Sequence, residues 1–294
     1  MKQKPIKIVI FGASGLLGQD LAVYFADRKP FTVVPFSHRD VDILSQKNLQ
    51  RTLASHRPDV VINCAAITNV EHCEAKPFLA YELHTLAPGK ILKAIHASCL
   101  SKTIFVQLSS AYVFGNNKNK FKEDDQPQPL NVYGASKAAG ESIIAAQSKM
   151  MGIAYYIIRT SWLYGEYRPT LVDLAIRDVQ QKKQFLAIVD QWSVLTWTRD
   201  IAVAFEELFI HNSRYPSGIY HFINHSTKSM SKFDIVQEAL KILKLPKNTV
   251  KKTQITGIFS SSLPRNAYLL NTKFPRFPHW KASLRTYILS RYTL

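Results

Sequence analysis

The run IVIFGASGLLGQDL, residues 8–21, constrains this chain more than any other stretch. An apolar segment ends at Phe11, glycines follow at positions 12, 15 and 18, and a helical pattern begins directly after them. Glycine permits the tight turn and lets backbone amides approach an anion, while the helix N-terminus adds partial positive charge. A strand, a glycine turn and a helix, in that order, form the opening unit of a dinucleotide-binding sheet. Gly12, Ser14 and Gly15 are therefore candidate cofactor contacts.

The rest of the chain continues the alternation. Apolar runs at IKIVIF, FTVVPF, DVVINCAA and TIFVQLSS are separated by amphipathic stretches, including a long helical pattern from Phe78 to Cys99. Short buried strands divided by helices specify a doubly wound parallel α/β sheet of the Rossmann type. Pro88 lies inside the Phe78–Cys99 pattern and predicts a kink or a break there. Two more strand-like runs, IAYYIIRTSW and GIYHFIN, precede a helix at FDIVQEALKILKL. After GEYRP (165–169) the signals become irregular. The expected division is a dinucleotide-binding domain over 1–165, with a returning segment around 197–225, and a smaller C-terminal α/β substrate domain over 166–294 built from separated segments.

Composition narrows the function classes. With 46% hydrophobic residues in 294, a folded globular chain is expected. No apolar run approaches the roughly 20 residues of a membrane span, so no span and a cytoplasmic location are expected. Three cysteines without ligand-like spacing indicate neither a disulfide framework nor zinc, and nine histidines lie scattered, so no metal site is assigned. The net charge is +17, and no acidic residue follows Glu238. Such a field attracts anions in general. The basic positions carry no recognition motif, so nucleic acid is not an expected partner.

The second strand-like run ends in Ser37, His38 and Arg39, where NAD-selective proteins place a carboxylate for the ribose 2′-hydroxyl. Arg39 suits a 2′-phosphate instead, which favours NADPH. NADH remains open if Asp40 or Asp42 takes the acidic role.

In NVYGASKAAGE, Tyr133 and Lys137 are four residues apart and share one helix face. An ammonium beside a phenol favours the phenolate and lowers the tyrosine pKa. With Ser110 at the end of an upstream strand to hold a carbonyl oxygen, the three residues form a candidate catalytic set for proton transfer coupled to hydride transfer.

This combination resembles the extended short-chain dehydrogenase/reductase superfamily, and within it the family of dTDP-4-dehydrorhamnose reductase. The matching stretches include DVDIL, DVVINCAAITNVEHCE, LSSAYVFG, QPLNVYGASKAAGE, IIRTSWLYG, IVDQ and PRNAYL. The resemblance implies cofactor contacts at Gly12, Gly15, Leu16, Leu17, Asp42, Ile43, Ala65, Ala66, Tyr133 and Lys137. It implies substrate contacts at Ser110, Ala111 and Trp162, with Tyr133 as proton donor. The implied activity is NADPH-dependent reduction of a nucleotide-linked 4-keto-6-deoxy sugar, dTDP-4-dehydro-L-rhamnose, for surface polysaccharide. A homodimer is compatible with it.

Departures from the family pattern fall on the sugar side. Ala111 stands where the family has an aspartate, Leu195 where it has a proline, Leu263 where it has an arginine, and His84 where it has an asparagine. They admit a second reading from the same fold. Pro264, Arg265, Asn266 and Ala267, with the DQW stretch, resemble the regulatory beta subunit of methionine adenosyltransferase, a non-catalytic NADP-binding partner protein. A reductase acting on a different nucleotide sugar is a third.

Overall fold

The computed structural model describes residues 4–292. Six strands, β1 (Ile6–Phe11), β2 (Phe31–Phe36), β3 (Val60–Asn63), β4 (Ile104–Ser110), β5 (Tyr155–Thr160) and β10 (Gly218–His221), form one parallel sheet in the order β10-β5-β4-β3-β1-β2. Six short strands lie outside it: β6 (Leu163–Tyr164), β7 (Phe185–Ile188), β8 (Trp192–Ser193), β9 (Thr196–Trp197), β11 (Met230–Ser231) and β12 (Val250–Thr253). They pair as β6 with β9, β7 with β12 and β8 with β11. The helices are α1 (Leu16–Ala26), α2 (Gln46–His56), α3 (Val70–Ala75), α4 (Pro77–Tyr81), α5 (Ala87–Ala97), α6 (Val132–Met151), α7 (Leu171–Gln180), α8 (Thr198–Ile210), α9 (Lys232–Ile242) and α10 (Trp280–Tyr292).

The alternating strand pattern explains why both sheet faces are covered. In β1, Ile8 and Ile10 join Leu21, Phe25 and Phe205 on the face packed by α1 and α8. Val9 and Phe11, one residue out of phase, join Leu49, Ile91 and Ile144 on the face packed by α2, α5 and α6. A third core gathers Val172 and Ile176 of α7, Ile235 and Leu240 of α9, and Leu284 and Ile288 of α10. It lies beyond the sheet's C-terminal end and supports the short strands.

The Phe78–Cys99 pattern is helical but not one regular α-helix. A π-helical turn at Glu82–Leu86 joins α4 to α5, and Pro88 occupies the first turn of α5. The expected break at Pro88 is thus a change of helical pitch one turn earlier. Proline is tolerated where it falls because the first turn needs no amide donor from that residue.

Two glycines set close approaches that the site requires. Gly12 has φ +76°, and a Cβ there would lie 2.5 Å from the Ala65 nitrogen at the end of β3. A Cβ on Gly134 would lie 2.0 Å from the Tyr112 carbonyl oxygen, so its absence lets α6 press against the segment after β4. Among the described residues, no helix is long and apolar enough to cross a membrane.

Substituting Gly12→Ala forces a side chain into the left-handed region and against β3. Urea unfolding should show a loss of about 1–3 kcal/mol; an unchanged midpoint and slope would show that the turn relaxes freely.

Candidate active site

Two adjoining cavities of about 370 and 570 Å³ share Gly15, Cys64, Ala66 and Arg168 in their walls. Their linings follow the C-terminal ends of β1, β2, β3, β4 and β5. The cleft therefore lies where the strand order reverses, between β1 and β3, which is where open α/β sheets bind ligands.

The smaller cavity is built on the glycine turn. Gly12, Ser14, Gly15, Asp42, Ile43, Ala65 and Ala66 all line it. Ser37 and His38 line it too, whereas Arg39, the next residue, is exposed and absent from the wall. Asp40 is absent from the wall as well, and its carboxylate accepts from the Ser37 amide at 2.7 Å and the Ser37 hydroxyl at 2.6 Å, whereas Asp42 lines the cavity. These two bonds hold the Asp40 pKa below the ordinary carboxylate value. Spacing gave no signal for Arg168, whose guanidinium donates to the Ser14 carbonyl oxygen at 2.6 Å from 154 residues away. The cleft-facing glycine turn, the α1 N-terminus and this guanidinium together fit a pyrophosphate.

The larger cavity brings together Leu16, Leu17, Ser110, Tyr133, Lys137 and Trp162. Ser110 ends β4, and its Oγ accepts from the Tyr112 amide at 3.1 Å. Asn131 caps α6 by accepting from the Gly134 amide at 2.8 Å, which fixes the first turn and Tyr133 with it. Lys137, one turn on, donates from Nζ to the Leu108 carbonyl oxygen at 3.1 Å. Ala111, by contrast, is fully buried in the third core and does not line the cavity. Leu195 is likewise in that core, while Leu263 does face the cavity.

The ionisation of the pair differs from the expectation drawn from spacing. Burial pushes the Tyr133 phenol up to about 12, against a hydrogen bond from Ser110 that favours the phenolate. Burial also brings the Lys137 ammonium down to about 8. Desolvation outweighs any depression of the tyrosine by the lysine, whose charge is directed at a backbone carbonyl. Tyr133 therefore keeps its proton at neutral pH, as a proton donor must.

The site is braced from behind. Arg159 of β5 donates from Nη2 to Glu141 of α6 at 2.6 Å and from Nε at 2.9 Å, and Ser109 of β4 donates to the same carboxylate at 2.5 Å. All three residues are buried. His84, in the π-helical turn, accepts the Ile67 amide at Nε2, so its Nδ1 carries the proton and donates to Ser136 at 2.8 Å. Ser136 in turn donates to the Tyr133 carbonyl at 3.0 Å. Burial, helped by the Lys137 charge, holds His84 neutral, with its pKa down to about 2. Gln191 donates to the Tyr112 hydroxyl at 2.9 Å and to the Pro264 carbonyl at 3.1 Å. Among the described residues, no group of three or more His, Cys, Asp or Glu side chains is arranged to hold a metal ion.

The sequence and the fold are similar to those of known proteins. Residues 6–292 match the family described as the RmlD substrate binding domain. The chain is 29% identical over 294 residues to the spore coat polysaccharide biosynthesis protein SpsK of Bacillus subtilis (strain 168), covering 97% of this chain and 98% of that one. It is 30% identical over 285 residues to dTDP-4-dehydrorhamnose reductase of Streptomyces griseus, covering 94% and 91%. The structure of dTDP-4-dehydrorhamnose reductase from Bacillus anthracis str. Ames in complex with NADP superposes with a TM-score of 0.86 at 26% identity, over 97% of this chain and 99% of that one.

Removing Arg159 as Arg159→Met strands the Glu141 carboxylate in the core. Chemical denaturation should register a loss of about 3–5 kcal/mol, and a loss below about 1 kcal/mol would mean that the pair holds nothing together. A Lys137 side-chain nitrogen resonance, assigned against Lys137→Met, should titrate with a midpoint of about 8. A midpoint at the ordinary lysine value would mean that water reaches the ammonium.

Proposed function

The chain belongs to the RmlD substrate-binding-domain family, and from that membership we propose that it is an NADPH-dependent reductase of a nucleotide-linked 4-keto-6-deoxy sugar. The substrate proposed is dTDP-4-dehydro-L-rhamnose, the product dTDP-L-rhamnose, and the destination surface polysaccharide. The observation that carries this reading is the convergence of Ser110, Tyr133 and Lys137 on one cavity that adjoins the glycine turn. We also propose that residues 1–165, with the returning segment around 197–225, hold the cofactor, and that the remainder of 166–294 holds the sugar nucleotide.

In the cofactor half, Gly12, Ser14, Gly15, Leu16 and Leu17 cradle the pyrophosphate, with Arg168 beside the turn. Asp42, Ile43, Ala65 and Ala66 flank the adenosine side. His38 at the wall and Arg39, exposed and one residue further along the chain, favour a 2′-phosphate, because neither offers the carboxylate that would repel it. When bound, NADPH supplies the hydride.

The chain's own residues supply the rest. Ser110 donates a hydrogen bond to the sugar carbonyl oxygen as negative charge builds on it. Tyr133, protonated because it is desolvated, transfers its phenolic proton to that oxygen, and Lys137, one helical turn on, holds the cofactor ribose. The proton thus ends on the new hydroxyl. Trp162, which lines the cavity, covers the sugar with an aromatic face.

Tyr133→Phe should lower kcat by about 10²–10⁴ with dTDP-4-dehydrorhamnose, while the NADPH dissociation constant, read by fluorescence, changes by less than about twofold. Full turnover in that variant would eliminate the mechanism. Arg39→Asp should move the NADPH to NADH preference toward NADH by roughly tenfold, and an unmoved ratio would refute its phosphate role. If no nucleotide-linked keto sugar is reduced but a methionine adenosyltransferase catalytic subunit co-purifies, the non-catalytic subunit reading replaces this one.

A further inference from the structure

Lys232 is the first residue of α9, where a lysine is electrostatically misplaced because a helix N-terminus carries partial positive charge. Among the described residues its ammonium has no carboxylate partner. Asp234, on the same turn, is committed to the helix cap. Its carboxylate accepts from the Ser231 amide at 3.0 Å and the Ser231 hydroxyl at 2.7 Å. What surrounds the ammonium is aromatic: Nζ lies 5.4 Å from the Trp162 ring centroid and 5.5 Å from that of Phe259. Both rings line the larger cavity. Burial draws the Lys232 pKa down to about 8.

Trp162 is itself held at a cost. Its φ is +36°, a left-handed conformation that a bulky side chain rarely adopts. The Thr196 amide, donating to the Trp162 carbonyl oxygen at 3.1 Å, ties the backbone there. Two locally unfavourable choices, a desolvated cation against a helix dipole and an aromatic residue in a left-handed turn, therefore meet at the aromatic edge of the cavity, where Lys232 packs against the lining rings of Trp162 and Phe259 without itself lining the space. Such arrangements concentrate where a ligand repays them.

The charge of the cavity wall indicates the ligand. No aspartate or glutamate lines the larger cavity. Its two lining cations are engaged elsewhere, Lys137 with the Leu108 carbonyl and Arg168 with the Ser14 carbonyl at the glycine turn. A nucleotide-linked sugar brings a diphosphate that needs a cation of its own. We infer that Lys232, framed by Trp162 and Phe259, anchors the diphosphate of the substrate and so holds the part of it that does not react. This assignment rests on the nucleotide-sugar reading for the identity of the ligand, although binding can be measured without turnover.

Calorimetric titration of the full chain with dTDP, thymidine and NADPH tests it. The wild-type protein should bind dTDP more tightly than thymidine. Lys232→Met should weaken dTDP by roughly tenfold or more, with thymidine and NADPH changing by less than about twofold. Lys232→Arg, which keeps the charge, should restore dTDP affinity to within about threefold. An unaltered dTDP affinity in Lys232→Met, an equal loss for thymidine, or no dTDP binding by the wild type each overturns the anchor. So does a Lys232 effect confined to a nucleotide-linked uronic acid, which would move the contact to a sugar carboxylate. If the dTDP effect holds while no keto sugar is reduced, the anchor stands and the reductase reading falls. Turnover with Lys232-independent dTDP binding removes the anchor alone.

Discussion

The site depends on one buried charge pair. Glu141 projects from the third turn of α6, Arg159 from β5, and Ser109 from the residue before Ser110 on β4. A carboxylate and a guanidinium taken out of water are tolerated only when each is almost fully hydrogen-bonded. That condition locks the helix carrying Tyr133 and Lys137 to the two strands that present Ser110 and lead into Trp162. The Arg159 guanidinium also donates to the Glu123 carbonyl at 3.2 Å, and the Glu123 carboxylate accepts from Thr272 at 2.9 and 2.6 Å. The brace therefore extends from the sheet to the C-terminal segment.

Around that brace the polar groups divide by task. Several behind the cleft are bonded to one another, as with His84, Ser136 and the Tyr133 carbonyl, and hold position. Those facing the cleft keep capacity for a ligand. Tyr133 and Lys137 are both shifted toward their neutral forms by burial, in opposite directions on the pH scale. A single cause, desolvation, thus prepares a phenol that keeps its proton and an ammonium that titrates closer to neutrality.

The family departures on the sugar side separate once the chain is folded. Ala111 and Leu195 are packing residues of the third core, with no exposure to either cavity. Leu263 does face the cavity, near Phe259, and presents an apolar surface there. The pocket beside Ser110, Tyr133 and Lys137 is accordingly walled by Trp162, Phe259, Leu263 and Val70, with polar contact offered by Thr68, Asn69, Thr160, Thr170 and Arg168 among others. Of these three departures, only Leu263 borders the cleft.

What the sequence determined by itself is what local rules encode. Strand and helix order follows from apolar periodicity, the glycine turn from the need for a left-handed residue at position 12, and the shared face of Tyr133 and Lys137 from helical pitch. Pro88 signalled an irregularity but not its form, a π-helical turn that packs on α6. Tertiary structure alone decided the rest. It brought Arg168 to Ser14, set Lys232 between Trp162 and Phe259, and left Arg39 outside the cavity wall. It also reversed the expected shift of Tyr133. Those outcomes depend on burial and on contacts between residues far apart in the chain, which no spacing records, because the free energy of a charge is set by everything that displaces water around it.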